Sequence, residues 1–264
     1  MLKKLILAAL VVTSAVFAQN VQVGAHAAGS FGTAWGENTD FLEIGWGAGF
    51  NVGAEAKVAI NPMLSVVGGI GVDYRRVFWD VGGMMKNQMR KTVNMAGLDF
   101  DTFYDSFYNS LSTEKKLMMN ALFEAEKTFS LLYVDIPVVA RINPVPNFFI
   151  DAGIDLGINV SASVTSKTIG VEKTEDIESD MKSTIDFGFV VGLGYSVTDK
   201  IDINFRTAIG LTDMVDMQKA FKASANEASA NDNYSDYDDE DDDDTPTFGF
   251  KNLRFHLGAT FWFM

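Results

Sequence analysis

The sequence predicts an eight-stranded antiparallel transmembrane β-barrel, and three observations predict it. Apolar side chains alternate with small or polar ones in eight segments, which is the period of a strand whose two faces meet different surroundings. Most of these segments have about ten residues or more, the length that a tilted strand needs to cross a bilayer. Tight turns and long connections also alternate along the chain, as they do in membrane barrels with an even number of strands.

The predicted strands share an apolar residue at every second position. The C-terminal segment is the clearest, because Leu253, Phe255 and Leu257 are separated by single polar residues. A backbone in lipid must pair all its N–H and C=O groups internally, so we expect the first strand to pair with the last. The other seven predicted strands span residues 21–27, 42–60, 64–74, 132–142, 150–160, 185–197 and 201–211.

The connections predict which end of the barrel faces the cell surface. Three tight turns are rich in Asn, Asp and Pro and are expected in the periplasm, at residues 60–63, 143–147 and 198–200. Four long connections are then extracellular loops, at residues 32–40, 79–128, 165–183 and 213–247.

A soluble eight-stranded barrel with an apolar cavity would show the same periodicity. The polar faces of the strands favour the membrane alternative, because a solvated surface would carry many Lys, Glu and Thr residues. These faces instead carry glycines such as Gly45, Gly47 and Gly49, which suit the crowded interior of a narrow barrel. Aromatic residues near strand ends, such as Trp46 and Phe261, are typical of the girdles of membrane barrels.

The N-terminus has the features of a secretory signal peptide. Two lysines precede an apolar run, and small residues lead to a cleavage site between Ala18 and Gln19. A retained membrane anchor would need an apolar stretch of about 20 residues, which the polar residues from Gln19 onward interrupt. The sequence therefore predicts a signal peptide at 1–18 and an outer-membrane barrel domain at 19–264.

The composition excludes several classes of function. The chain has no cysteine, which excludes a disulfide framework and a lipoprotein anchor. Its formal net charge of −14 at pH 7 would repel nucleic acid, whose binding requires Lys and Arg to neutralise phosphates. We therefore expect no nucleic-acid partner, and no motif predicts a cofactor.

The loop at 79–128 is predicted to carry two amphipathic helices. Apolar residues recur at helical spacing from Phe100 to Leu111 and again from Leu117 to Ala125. The apolar stripes either pack on each other as a cap over the barrel mouth or form a Met- and Phe-rich patch for a partner protein or the outer leaflet. The sequence leaves both alternatives open.

One hairpin carries a family resemblance. The segment YVDIPVVARINPVPNFFIDAGIDLGINV, residues 133–160, resembles the Tyr-x-x-Ile-Pro strand, tight turn and Ala-Gly-x-x-x-Gly strand of PorT-like outer-membrane β-barrel proteins. The resemblance implies an eight-stranded barrel from a family that is defined mostly by fold and whose members largely lack an assigned activity. A fold does not by itself supply a function.

Ionisable side chains on the predicted inward faces form layers of mixed sign, with Asp155 and Arg206 together near the middle. Buried charges persist only when they are paired, and an eight-stranded barrel is just wide enough for its side chains to fill. These layers predict a polar network that fills the lumen, with a charged ion path as the alternative. The predicted network consists of Glu43, Glu55, Lys57, Asp73, Arg75, Asp135, Arg141, Asp151, Asp155, Asp186, Asp202, Arg206, Arg254, His26 and His256.

The two histidines lie on the first and last strands, which are neighbours in a closed barrel. A zinc or nickel site would need further ligands, and a hydrolase would need a positioned nucleophile. No such constellation is evident in the sequence, so we expect two hydrogen-bonded lumen histidines and no catalytic or metal-binding residues.

An acidic run within the loop at 213–247 lacks the glycine at the sixth position of an EF-hand. The dense charge predicts a solvated loop with weak binding of divalent cations at most. The candidate residues for this weak binding are Asp236, Asp238, Asp239, Glu240, Asp241, Asp242, Asp243 and Asp244.

These features predict a non-enzymatic outer-membrane barrel with a structural or surface-interaction role through its extracellular loops. A narrow passive pore is the alternative, and a barrel-embedded enzyme comes third. The C-terminal aromatic alternation, with Phe261 and Phe263, resembles the signal read by the barrel assembly machinery. The expected partners are this machinery, outer-membrane lipid, and an unidentified protein or surface ligand at the loops.

Overall fold

The computed structural model describes residues 21–36, 39, 42–168, 170–214 and 249–263. In these residues nine strands form one antiparallel sheet, and no helix is long and apolar enough to cross a membrane. The helices are α1 (Val81–Met95), α2 (Phe100–Ser110) and α3 (Thr113–Phe123). The strands are β1 (Val21–Trp35), β2 (Ile44–Asn61), β3 (Leu64–Asp80), β4 (Glu126–Val145), β5 (Phe148–Thr168), β6 (Val171–Asp176), β7 (Ile185–Thr198), β8 (Ile201–Asp213) and β9 (Lys251–Trp262).

Eight of these strands close into a barrel. The ring runs β1, β2, β3, β4, β5, β7, β8 and β9, and β9 pairs back onto β1. Because the ring closes, the barrel wall has no open edge, which is what lipid requires of a membrane-spanning sheet. The predicted eight-stranded antiparallel barrel, with its first strand paired to its last, is confirmed.

Short and long connections alternate around this ring. Two-residue connections at 62–63, 146–147 and 199–200 join the strands at one end. Asn147 has a φ of 66°, the left-handed conformation that Asn tolerates in tight turns. The helices all lie at the opposite end, between β3 and β4. The predicted signal peptide and the acidic run at 236–244 lie outside the described residues.

The wall strands extend further on the extracellular side than the sequence predicts. β4 has 20 residues and β5 has 21, whereas about ten cross a bilayer. Beyond the membrane, β6 forms a hairpin with the end of β5, from Thr168 paired with Val171 to Ser163 paired with Asp176. Sequence reasoning missed β6 because all six of its residues are exposed, so it has no apolar face to reveal it.

The helical loop contains three helices, whereas two are predicted. α2 and α3 correspond to the two predicted apolar runs, and α1 is the additional one. Its first turn contains Gly82 and Gly83, which are poor helix formers and hid the helix from the sequence pattern. Asp80 compensates as the N-cap, because its carboxylate accepts a hydrogen bond from the Gly83 N–H at 2.6 Å.

The helices pack on each other only in part. Val93 and Phe100 are buried, and the Tyr104 and Phe123 rings of α2 and α3 lie 5.8 Å apart. In contrast, Leu117 and Met118 of α3 are 61% and 67% exposed. The apolar stripes therefore form an incomplete cap and leave apolar side chains at the surface.

Candidate functional site

The barrel interior holds two clusters of ion-paired side chains. Each member projects inward because successive residues of a strand point to opposite faces. The outer ion cluster, toward the cell surface, consists of Asp73, Arg75, Asp135, Asp155, Asp186 and Arg254. The inner ion cluster, toward the periplasm, consists of Glu55, Arg141, Asp151, Asp202 and Arg206.

Arg75 organises one half of the outer ion cluster. Its Nε donates to Asp73 at 2.7 Å, its Nη2 to Asp135 at 2.7 Å and its Nη1 to Asp186 at 2.6 Å. The guanidinium also stacks 3.7 Å from the centre of the Tyr133 ring. The planar fork of arginine suits this arrangement, since it presents five donors in fixed directions.

Arg254 spans the lumen in the other half of the outer ion cluster. It lies on β9, four strands around the ring from β4, and its Nη1 donates to Asp135 at 3.1 Å. Nη2 donates to Asp155 at 2.7 Å, and Nη1 also bonds Asp73. Arg254 therefore links opposite walls. The outer ion cluster contains two arginines and four aspartates, so its formal charge is negative.

The inner ion cluster ties the walls together in a similar way. Arg141 donates to both oxygens of Asp151, at 2.8 and 2.9 Å, and to Asp202 at 2.6 Å. Arg206 donates to Glu55 at 2.5 Å and shares Asp151. Bidentate arginine–carboxylate pairs of this kind are strong and geometrically specific.

The structure divides residues that the sequence grouped and corrects one assignment. Asp155 and Arg206 were predicted in one middle layer, but Asp155 belongs to the outer ion cluster and Arg206 to the inner. Lys57 is half-buried and lies 4.5 Å from the centre of the Trp262 ring.

The prediction that Glu43 points into the lumen is wrong. It precedes β2 with a φ of 45°, is exposed, and accepts a hydrogen bond from Asn87 of α1 at 2.7 Å.

Both histidines line a lumen cavity of about 50 Å³ between the two clusters. The Thr260 hydroxyl donates to Glu55 at 3.0 Å, and the same oxygen lies 3.0 Å from Nδ1 of His26. The hydroxyl thus lies between imidazole and carboxylate, whereas a nucleophilic triad places the imidazole in the middle. Among the described residues, no three His, Asp or Glu side chains are arranged to hold a metal ion.

The interior contains an apolar core at its extracellular end, which sequence reasoning missed. An apolar mouth core of buried side chains includes Trp79, Phe129, Leu131, Tyr133 and Phe250. The alternation of β4 could have revealed this core, because residues 129, 131 and 133 lie on the same inward face of the strand as Asp135. Above the ion clusters, the barrel is therefore filled by packed aromatic and aliphatic groups.

We expect no steady conductance of porin size in planar-bilayer recordings of the refolded protein. The ion clusters bridge opposite walls, the apolar mouth core lies above them, and eight-stranded barrels normally leave no water channel. Large, stable openings that are altered by Asp155→Asn or Arg206→Gln would contradict this expectation and would identify a pore.

Comparisons with known proteins concern the whole barrel. The profile of the family described as outer membrane protein beta-barrel domain matches residues 17–216. No curated protein matches the chain. A similar solved structure is Ail, the attachment invasion locus protein of Yersinia pestis, with 8% identity, a TM-score of 0.40, and coverage of 92% of this chain and 99% of that chain. Neisserial surface protein A has 11% identity, a TM-score of 0.41, and coverage of 90% and 96%.

The family match covers well over half of the chain and includes most of the wall strands, β1 to β8. An outer-membrane location follows from this match together with the closed barrel. The narrower resemblance of residues 133–160 to PorT-like proteins stays a prediction. The chain belongs to the family of outer-membrane proteins built on this beta-barrel domain.

Proposed function

We propose that the protein is a non-enzymatic outer-membrane anchor that presents an extracellular extension for interaction at the cell surface. The extracellular extension is defined here as α1, α2, α3 and the β5–β6 hairpin. The contrast between a closed interior and this exposed extension supports an anchoring role. The interior is filled by two ion clusters and an apolar core, whereas the extension is open to the medium.

The extracellular extension carries exposed apolar side chains. Leu117, Met118 and Leu122 of α3 are 61%, 67% and 51% exposed. Leu117 and Met118 also line an open groove with Thr168 and Val171 of the β5–β6 hairpin. Exposed apolar patches of this kind on a water-facing surface mark interaction sites. The binding partner that the sequence suggests would therefore contact this side of α3.

The interior geometry disfavours the enzyme alternative. The only imidazole and hydroxyl in contact within the described lumen, His26 and Thr260, are in the wrong order for nucleophile activation. The lumen cavity of about 50 Å³ also has room for a few water molecules only, too little for a substrate. The narrow-pore alternative depends on the conductance measurement described above.

The three helices of the extracellular extension can be removed without cutting the barrel. Asp80 and Glu126 are paired at the ends of β3 and β4, so residues 81–125 can be replaced by Asn-Gly, which forms a tight hairpin. We expect this shortened protein to keep the heat-modifiable gel migration of a folded barrel. Cells carrying it should lose the adhesion to protein- and polysaccharide-coated surfaces that cells with the full protein show.

A finer comparison separates the apolar face of α3 from the helix as a whole. The double variant Leu117→Ser with Met118→Ser should reduce adhesion, because it removes the exposed apolar pair. The control, Glu114→Ser with Lys115→Ser, changes two exposed polar positions of the same helix and should leave adhesion unchanged. Equal adhesion by the full and shortened proteins would contradict the proposed surface role.

A further inference from the structure

The β3–β4 ladder lacks pairing at one place, although the register is the same on both sides of it. This ladder pairs Gly68 with Val138 and Gly71 with Asp135, but neither Gly69 nor Ile70 is paired with β4. Pro137 lies opposite Gly69 and has no N–H, so it cannot donate to the carbonyl across the ladder. This Pro137 belongs to the Ile-Pro pair of the hairpin motif recognised in the sequence, and its physical effect is a local break in the β3–β4 ladder.

A recess lies on the lipid-facing side of this break, which we call the β3–β4 recess. Its floor is made of the smallest outward-facing residues, Ala54, Ala56 and Gly68, which neighbour one another across β2 and β3. Its sides are built of branched side chains that stand above this floor, namely Val23, Val58, Val66, Ile70, Ile136 and Val138. The recess is shallow and open toward the membrane, with a volume of about 530 Å³.

Gly68 determines the depth of the β3–β4 recess. A Cβ atom added at Gly68 would meet nothing closer than the Pro137 carbonyl oxygen, at 3.9 Å. The space over this glycine is therefore open on the membrane side. Ile70, next to it on the same face, is 58% exposed and forms a rim. The wall behind the floor consists of backbone, and Gly69 and Ile70 also line the lumen cavity.

The position of the recess identifies the surrounding leaflet. Gly68 is four residues from Leu64, the first residue of β3 after a short periplasmic turn, a distance of about 13 Å along the strand. The hydrocarbon core is about 30 Å thick, so the recess lies in its periplasmic half. It is continuous with the apolar surface that the barrel presents to lipid, where Val138 is 43% exposed.

We propose that the β3–β4 recess is a binding site for one acyl chain of a periplasmic-leaflet phospholipid. The occupant must be apolar, since the only ionisable residue on the recess, Glu55, has its carboxylate turned inward to Arg206 and Thr260. It must also be narrow and flexible to lie on a floor of Ala and Gly between Val and Ile side chains. A chain seated there gains dispersion contacts on three sides, which a flat lipid-facing wall does not offer.

The test uses a phosphatidylethanolamine that carries a diazirine on one acyl chain. The protein is reconstituted into vesicles that contain this lipid, irradiated, and digested, and labelled peptides are mapped by mass spectrometry. We expect labelling to concentrate on the residues around Ile70 and Val138. Gly68→Leu fills the recess and should reduce that labelling to the level of the rest of the wall.

Gly29→Leu is the matched control. Gly29 also faces lipid, and an added Cβ there meets nothing within 4 Å, so this variant adds the same side chain outside the recess. It should leave the labelling at Ile70 and Val138 unchanged. Ile70→Ala lowers one side of the recess without adding bulk, so it should also weaken the labelling at Val138. This variant tests the proposal if Gly68→Leu folds poorly.

Two results would overturn the proposed lipid site. Uniform labelling around the barrel, or equal labelling in Gly68→Leu and Gly29→Leu, would show that the recess does not retain a chain. Native mass spectrometry of the wild-type protein in detergent gives a second readout, with a retained phospholipid expected. A dimer that Gly68→Leu dissociates would instead assign the recess to a second copy of this protein.

Discussion

Replacing Arg254 with leucine is expected to lower the free energy of unfolding by about 3 to 5 kcal/mol, the cost of breaking a buried ion pair by removing one partner. Arg254 is 3% exposed and contacts Asp73, Asp135 and Asp155. Without it, Arg75 is the only arginine in the outer ion cluster facing four aspartates. The measurement is urea unfolding of the protein in liposomes, and the loss of heat-modifiable gel migration reports the unfolded fraction.

Two further variants make this expectation specific. Arg254→Lys keeps the charge but loses the planar fork that reaches three carboxylates at once, so its stability should fall between those of the wild-type protein and Arg254→Leu. Lys167→Ala removes an exposed ion pair with Glu126 at 4.0 Å and should cost about 0 to 1 kcal/mol. If Arg254→Leu costs no more than Lys167→Ala, the outer ion cluster does not hold the opposite walls together.

Phe205→Arg is expected to destabilise the barrel by about 2 to 4 kcal/mol, the cost of an arginine on the lipid face near the bilayer midplane. Phe205 of β8 is 40% exposed on the outside of the wall, and its ring stacks on Phe255 at 6.0 Å. Refolding yield into liposomes and the urea midpoint in the same assay measure the effect.

Phe205→Leu is the control for this substitution, because it removes the ring contact with Phe255 and keeps the surface apolar. It should cost much less than Phe205→Arg, and the difference between the two variants isolates the transfer of charge into lipid. Equal losses would mean that packing on Phe255 dominates at this position. Unimpaired refolding of Phe205→Arg would mean that this face of β8 does not contact the hydrocarbon core.

Features that depend on neighbouring residues were predictable from the sequence. The two-residue period of a strand such as β8 and the turn chemistry of Asn147 are local properties, so the number and order of the eight wall strands followed from them. Closure of β9 on β1 followed because lipid tolerates no unpaired strand edge. Two local elements were missed for local reasons: α1 begins with two glycines, and β6 has no buried face.

The partners of the buried charges were predictable only as a set. The alternation along each strand showed that residues such as Arg254 and Asp135 face inward, and the cost of burying charge required that they pair. Which carboxylate meets which arginine depends on the stagger of strands across the lumen, because Arg254 and Asp135 are 119 residues apart and lie on opposite walls. The error at Glu43 has a different origin, since the predicted strand began at residue 42 and the chain enters the wall only at Ile44.

The sequence alone determined that this chain forms a membrane barrel with its apolar face toward lipid, because period, turns and closure are each dictated by the chain and its solvent. Only the tertiary structure decided what the barrel contains and what its surface can bind. The ion clusters and the apolar mouth core arise where distant strands meet inside. The β3–β4 recess exists because register places Ala54, Ala56 and Gly68 side by side next to the break at Pro137, and register is a property of the folded sheet.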